Sequence, residues 1–256
     1  MNEIASLDSQ MVFMEKILED CQALSVRLVV FPGLFGEMTG NSSEYINEVI
    51  RLSRSFNSMI ICPGSYFEHS DGLTYHSSCL INAGTVGLSQ RQVYLANWER
   101  EAGLSRGNTL ETVSFEDFKV GIMLTTDAFY PQVSRQFAFL GTDIIAAPAA
   151  ITGYDSPLKQ LSGVWQNVQM NLFYAVESGI KSVIHGKSFS SLSAIHAPLE
   201  ATEKDNGLLN IEKRNCTSNI ITAELDYNKR LEAIRKFNTL KQLNRDFCSS
   251  VFEEFM

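Results

Sequence analysis

The sequence predicts one α/β domain with large mixed sheets and helices on the outside. Three observations predict it. Short apolar runs alternate with stretches of helical periodicity along the chain. Some neighbouring runs are joined by tight turns, as in hairpins, and others by helical segments, as in crossovers. No internal repeat and no Pro/Gly/Ser tract interrupts the order, so residues 1–256 read as a single domain. A purely parallel sheet would lack the hairpins, and an all-β sandwich would lack the helices.

The elements follow in order. Met11, Met14, Ile17, Leu18 and Cys21 recur at helical spacing, which predicts an amphipathic helix from about Ser9 to Ala23. Val26–Phe31 is a buried strand stopped by Pro32-Gly33. Ser42-Ser43-Glu44 opens a second helix through about Phe56, and Met59–Cys62 is a second strand. Thr74–Asn82 and Leu88–Leu95 flank Ala83-Gly84-Thr85 as a hairpin, and Thr109–Phe115 and Phe118–Leu124 flank Glu116-Asp117 as another. Val133–Leu140 reads as a helix, Asp143–Ala147 as a strand and Leu161–Glu177 as a long helix. Ser182–Ile184, Leu192–Ala197, Gly207–Ile211 and Asn219–Leu225 complete the strands. From Tyr227 to Met256 the pattern is helical again.

Composition excludes several classes. Lys+Arg 21 against Asp+Glu 29 leaves a net charge of −8, which argues against a partner held through phosphates. No run reaches the ~18 apolar residues of a membrane helix. Met1–Gln10 has neither the basic nor the apolar region of a secretion signal, so a cytoplasmic location is expected. The five cysteines are Cys21, Cys62, Cys79, Cys216 and Cys248; an odd number without a CxxC pair predicts free, mostly buried thiols in a reducing compartment. His69, His76, His185 and His196 never fall at zinc-ligand spacing, so no metal site is expected.

Three segments carry a resemblance. They are Val29-Val30-Phe31-Pro32-Gly33-Leu34-Phe35, Arg91-Gln92-Val93-Tyr94-Leu95, and Gly121–Pro131 (GIMLTTDAFYP). Read together they resemble the "VVFPEL", "RKxHL" and "GVxICYDxxFP" motifs of the nitrilase (carbon–nitrogen hydrolase) superfamily. Ile60–Ser65, Tyr75–Asn82, Gly141–Pro148, Ala175-Val176-Glu177 as an "AxEN" helix end, and Ser193-Ala194-Ile195 with Ala197-Pro198 follow in the family order. The resemblance spans about 11–225 as the core, with 226–256 as a C-terminal helical extension. It implies a four-layer α-β-β-α sandwich that pairs into dimers. The family opens with a strand, whereas Met1–Gln10 is polar and offers only Ile4-Ala5-Ser6-Leu7. The expectation is a fold lacking that first strand, with an open sheet edge.

The resemblance also implies a reaction: a Cys nucleophile, a Glu base and a Lys for the oxyanion. The corresponding positions here are Gly33 for the glutamate, Gln92 for the lysine and Thr125 for the cysteine. Gly33 has no proton acceptor, Gln92 no charge and Thr125 no thiol. Groups that act as one unit fail together, so thiol-dependent amide or nitrile hydrolysis is not expected. Glu99 matches the family's accessory glutamate, or else pairs with Arg100 or Arg106. Asp127 matches a structural cap. Glu37 reads as a loop carboxylate, Cys62 and Cys79 as inert thiols, and His185 and His196 as hydrogen-bonded strand histidines.

If the fold holds, Gly33, Gln92, Glu99, Thr125, Thr126 and Phe129 surround a pocket that is either open to a small polar molecule or vestigial and filled by neighbouring side chains. The first expectation is therefore a non-hydrolytic pseudoenzyme that binds a small polar ligand or a partner, with no cofactor, nucleic acid or membrane implied. A second is an enzyme with repurposed pocket chemistry, a condensation, transfer or C–N bond step, built on Glu99. A third is a structural subunit that forms a homodimer or pairs with an active homologue. In that case the C-terminal aromatics Phe247, Phe252 and Phe255 mediate contact.

Overall fold

The computed structural model describes residues 6–152, 157–213, 220–237, 240–244 and 246. The elements are α1 (Leu7–Ala23), β1 (Leu28–Val30), α2 (Ser42–Ser53), β2 (Ile60–Cys62), β3 (Ser65–Ser70), β4 (Leu73–Asn82), β5 (Thr85–Arg91), α3 (Asn97–Glu101), β6 (Thr112–Phe115), β7 (Phe118–Ile122), α4 (Pro131–Phe139) and β8 (Ile144–Ala149). Then come α5 (Pro157–Gln160), a wide turn at Leu161–Trp165, α6 (Gln166–Asn171), β9 (Tyr174–Gly179), β10 (Lys181–Ile184), β11 (Lys187–Ser190), β12 (Ala194–His196), β13 (Leu208–Ile211) and α7 (Tyr227–Phe237).

Two sheets face each other. One runs β1-β2-β4-β3 with β5 also on β4, and the other runs β13-β12-β9-β8-β7-β6. Parallel pairs (β1 with β2, β7 with β8, β8 with β9) coexist with hairpins (β3 with β4, β4 with β5, β6 with β7), so both sheets are mixed. Three clusters define the layers. Met14, Leu18, Tyr45 and Val49 of α1 and α2 pack on Val29, Ile61, Cys79 and Ile81. Ile60, Cys62, Leu80 and Leu88 of the first sheet meet Val120, Ile122 and Ala146 of the second. Val133 and Phe137 of α4, with Val168 of α6, cover the outer side at Ile145, Ala147 and Ala175. The architecture is the expected α-β-β-α sandwich.

The hairpins rest on residues that accept positive φ. Ala83-Gly84 closes β4–β5 as expected, with φ of 47° and 81°. Asp71-Gly72 does the same for β3–β4 at 54° and 76°, a hairpin absent from the sequence reading. His185-Gly186 closes β10–β11, which forms a separate two-stranded sheet.

Several elements differ from expectation. The helix read through Glu177 ends at Asn171, where Leu172 turns left-handed (φ 59°), and Tyr174–Gly179 is the strand β9. Ala175-Val176-Glu177 therefore lies in a strand and not at a helix end. The run is apolar because β9 is buried between β8 and β12, and periodicity alone does not separate that from a buried helix. Ile220–Leu225 forms no strand, and Asn219 lies outside the described residues. Ser6 caps α1 by accepting from the Ser9 backbone N–H, and Leu7 is its first residue, so neither is in a strand; Ile4 and Ala5 lie outside the described residues.

The extension begins as α7, which is pinned by Arg230. This residue is buried, with Nε donating to Leu172 O (2.8 Å), Nη1 to Asp143 Oδ1 (2.5 Å) and Nη2 to Thr142 O (3.0 Å). Phe247, Phe252 and Phe255 lie outside the described residues. Among the described residues no helix is long and apolar enough to cross a membrane.

Candidate functional site

Gly33 follows β1 through Pro32 and sits against the end of β8. A Cβ built there would lie 2.6 Å from Ala149 C and 2.7 Å from Ala150 N. The space a side chain would need at this position is filled by backbone. Thr125 opens a 3₁₀ turn, Thr125–Phe129, directly after β7. Its hydroxyl accepts from Ala150 N–H (2.8 Å) and donates to Pro148 O (3.3 Å), which leaves no proton for another partner. Thr126 and Phe129 occupy the same turn and are half-buried.

Gln92 and Glu99 belong to a different cluster. Gln92, fully buried at the end of β5, donates through Nε2 to Glu99 Oε2 (2.6 Å) and to Tyr94 O (2.9 Å). These two acceptors fix the amide orientation and leave Gln92 Oε1 buried with no hydrogen-bond partner. Glu99 in α3 also accepts from Ala96 N–H at 2.7 Å, which caps that short helix. Its other oxygen, Oε1, lies 2.6 Å from His76 Nδ1, and His76 Nε2 lies 2.6 Å from Ser65 Oγ. Ser65 Oγ in turn accepts from Leu34 N–H at 2.7 Å. Ser65, His76 and Glu99 are each at most 1 % exposed.

The β3–β4 register brings Ser65 and His76 together. Ser65 pairs with Ser78 and Phe67 with His76, so Ser65 and His76 are diagonal neighbours. Asp127 joins the two clusters. Its carboxylate accepts from Val93 N–H (3.1 and 3.2 Å) and Tyr94 N–H (2.8 Å), two residues beyond Thr125. Burial pushes its carboxyl up to about 7; the backbone N–H donors and the nearby His76 pull down, but desolvation outweighs them. Asp127 therefore holds the loop after β5 and caps no helix, a structural role all the same.

The expected pocket is thus divided. Gln92 and Glu99 close on each other, while Thr125 and Phe129 line a separate small cavity with Met123, Pro148, Gln160 and Glu177. That cavity is narrow, with room for about one water molecule. Glu177 reaches across to His196 Nε2 at 2.8 Å, and His196 Nδ1 is buried without a partner. Glu99 pairs with neither Arg100 nor Arg106 among its hydrogen bonds; its partners are His76, Gln92 and Ala96. Glu37 is buried and accepts from Phe67 N–H (2.6 Å) with His185 Nε2 at 3.1 Å. Burial pushes the thiols of Cys62 and Cys79 up to about 11 and about 12, which makes them poor nucleophiles. Among the described residues no group of His, Cys, Asp and Glu could hold a metal ion.

Comparison with known proteins decides the family. The sequence profile described as Carbon-nitrogen hydrolase matches residues 13–181. The chain belongs to the carbon–nitrogen hydrolase family. Among solved structures, the carbon–nitrogen hydrolase from Helicobacter pylori G27 is similar at 18 % identity and a TM-score of 0.77, over 97 % of this chain and 94 % of that one. An amidase from Nesterenkonia sp. is similar at 14 % identity and a TM-score of 0.70, over 83 % of this chain and 84 % of that one. Another structure of the Nesterenkonia amidase is described as carrying acrylamide added at its active site cysteine. No curated protein matches. At these identities the likeness to solved structures establishes the fold of this carbon–nitrogen hydrolase family member.

Sequence reasoning singled out Gln92, Glu99 and Thr125 but not Ser65 and His76, which share the buried hydrogen-bond chain with Glu99. The Asp71-Gly72 dipeptide between two β-rich runs was the available signal, because the hairpin it closes sets Ser65 beside His76.

Proposed function

We propose that this member has left thiol-dependent carbon–nitrogen hydrolysis and works as a non-hydrolytic protein that binds a small polar ligand or a partner. The single observation that carries the reading is the state of Gly33, Gln92 and Thr125, the positions the motifs align with glutamate, lysine and cysteine. Gly33 is packed on backbone, the Gln92 N–H donors are spent on Glu99 and Tyr94, and the Thr125 hydroxyl is spent on Ala150 and Pro148. None of the three carries a thiol, a base or a cation. The cavity beside Thr125 has polar lining from Gln160 and Glu177 but room for only about one water molecule, so a larger ligand enters only by displacing side chains. The test is turnover: purified protein is incubated with aliphatic amides, nitriles and carbamoyl compounds. The expected result is no product above the solvent rate. Turnover that disappears in Thr125→Ala overturns the reading.

One observation favours a second reading, an enzyme with repurposed pocket chemistry. His76 is held at both ring nitrogens, by Glu99 on one side and Ser65 on the other. Such an imidazole is oriented for proton transfer. Turnover of any substrate that depends on Glu99 but not on Thr125 would establish this reading over the first.

A further inference from the structure

We infer that the outer edge of β1 is a docking slot for an extended apolar segment of another protein, which adds as a strand beside Leu28–Val30. The inference rests on the partner half of the first reading above and says how that partner is held.

The β1–β2 register decides which backbone groups are left over. The two strands are parallel, with Leu28 opposite Ile60 and Val30 opposite Cys62. Ile60 N–H donates to Arg27 O (2.8 Å) and Phe31 N–H donates to Cys62 O (2.9 Å). Residues 27, 29 and 31 therefore turn their backbone groups toward β2, and Leu28 and Val30 turn theirs the other way. Among the described residues β1 pairs with β2 alone, and no backbone bond reaches Leu28 or Val30 from the outer side. Their N–H and C=O groups stand in a row without partners, on residues that are only half-buried.

A second extended segment borders the same place. Ile220 packs on the α1–α2 cluster that contains Val29, and Leu225 and Leu28 pack on one cluster of the second sheet. Residues 221–225 nevertheless make no backbone–backbone bond to β1 or to any other described strand. The two segments flank shared core clusters without forming the ladder that a spacing of about 4.8 Å would give. An added strand thus has unpaired backbone near it on both sides.

The pleat fixes what the segment must be. Val29 packs toward α1 and α2, while Leu28 and Val30 pack into the layer between the sheets. A neighbouring strand presents its side chains to the same two layers, so it must be apolar on both faces. Met1–Ala5 does not meet that need, because it carries Asn2 and Glu3. Among the described residues the segments that do, β2 and β8, are fully buried in their own sheets, so a second copy has none to lend. β1 itself has no charge, proline or bulge, the devices beyond shortness that close an edge to pairing. Strand addition to such an edge draws affinity from main-chain bonds and selectivity from side chains.

The test is amide hydrogen exchange by NMR on the full chain, with and without the heptapeptide Lys-Val-Ile-Val-Ile-Val-Lys. In the free protein the Leu28 and Val30 amides are expected to exchange at least about 10-fold faster than that of Phe31. Saturating peptide slows them by about 10-fold or more relative to Phe31. The same peptide methylated at every backbone nitrogen does not, nor does Lys-Val-Ser-Val-Ser-Val-Lys, which is apolar on one face only. No slowing by the first peptide overturns the inference, and so does equal slowing by the methylated one. Slow exchange at Leu28 and Val30 in the free monomer gives the edge to the chain itself, and protection that grows with protein concentration gives it to a second copy; either result overturns the inference. Amide turnover that disappears in Thr125→Ala overturns the non-hydrolytic reading without moving these rates, so the two failures are told apart.

Discussion

Gln92 Nε2 donates to Glu99 Oε2 across 2.6 Å in a part of the protein where both side chains are at most 1 % exposed. A carboxylate out of water needs donors, and the amide provides one where the family motif has a cation. Replacing Gln92 by Leu removes that donor and leaves Glu99 with Ala96 N–H and His76 alone. Loss of about 1.5–3 kcal/mol is expected, the range for a hydrogen bond to a charged group. Gln92→Glu costs more, because a second carboxylate would face the first. Urea midpoints of the two variants against wild type check the order.

Gly33 is required by close approach. A methyl group at this position meets Ala149 C at 2.6 Å, and backbone does not give way as a flexible side chain does. Gly33→Ala is expected to lose about 1–3 kcal/mol, and Gly33→Glu more, through overpacking. Adding Gln92→Lys and Thr125→Cys to Gly33→Glu is expected to yield no amidase activity, since the glutamate has no place to sit. Denaturant unfolding and an amide hydrolysis assay of the triple variant test both statements.

Thr125 acts through its hydroxyl. Thr125→Ala leaves the Ala150 N–H without its acceptor, at a cost of about 1–3 kcal/mol. Thr125→Ser keeps the oxygen and is expected to lose under about 1 kcal/mol. Hydrogen exchange at the Ala150 amide should rise in the alanine variant and stay near wild type in the serine one.

Asp127 makes stability depend on pH in a stated direction. Its carboxyl, near 4 in the unfolded chain, is raised to about 7 by burial in the folded one. The folded state therefore holds the proton more tightly. The resulting stabilisation is full below about pH 4 and is lost as pH rises through about 7. Asp127→Asn, which can still accept from Val93 and Tyr94, is expected to lose this slope. Urea midpoints between pH 4.5 and 8 should fall for wild type relative to the variant, and parallel curves would sink the idea.

The legible parts of the sequence were those with local signals. The helix at Leu7–Ala23, the β4–β5 turn at Ala83-Gly84 and the β6–β7 turn at Glu116-Asp117 stand where their residues put them. β3 was missed because its residues, Ser-Tyr-Phe-Glu-His-Ser, mix polar and aromatic side chains without clean alternation. The β9 residues read as helix because a strand buried on both faces carries no period of two. The site shows the same division. Gln92 and Thr125 lie on motifs, but the partners that decide their state, Tyr94, Glu99, Pro148 and Ala150, are set by how the loops close. His76 meets Glu99 across 23 residues, and no local pattern encodes that contact.

Arg230 has a consequence in time as well as in space. Its guanidinium bonds carbonyls at Thr142 and Leu172, the first of them 88 residues earlier in the chain. At a synthesis rate of 5–20 residues per second, roughly 4 to 18 s pass between the making of residue 142 and of residue 230. For that interval the nascent β8 region exists without the cation that ties it to α7. The second sheet is therefore finished late, by a residue that arrives after all its strands.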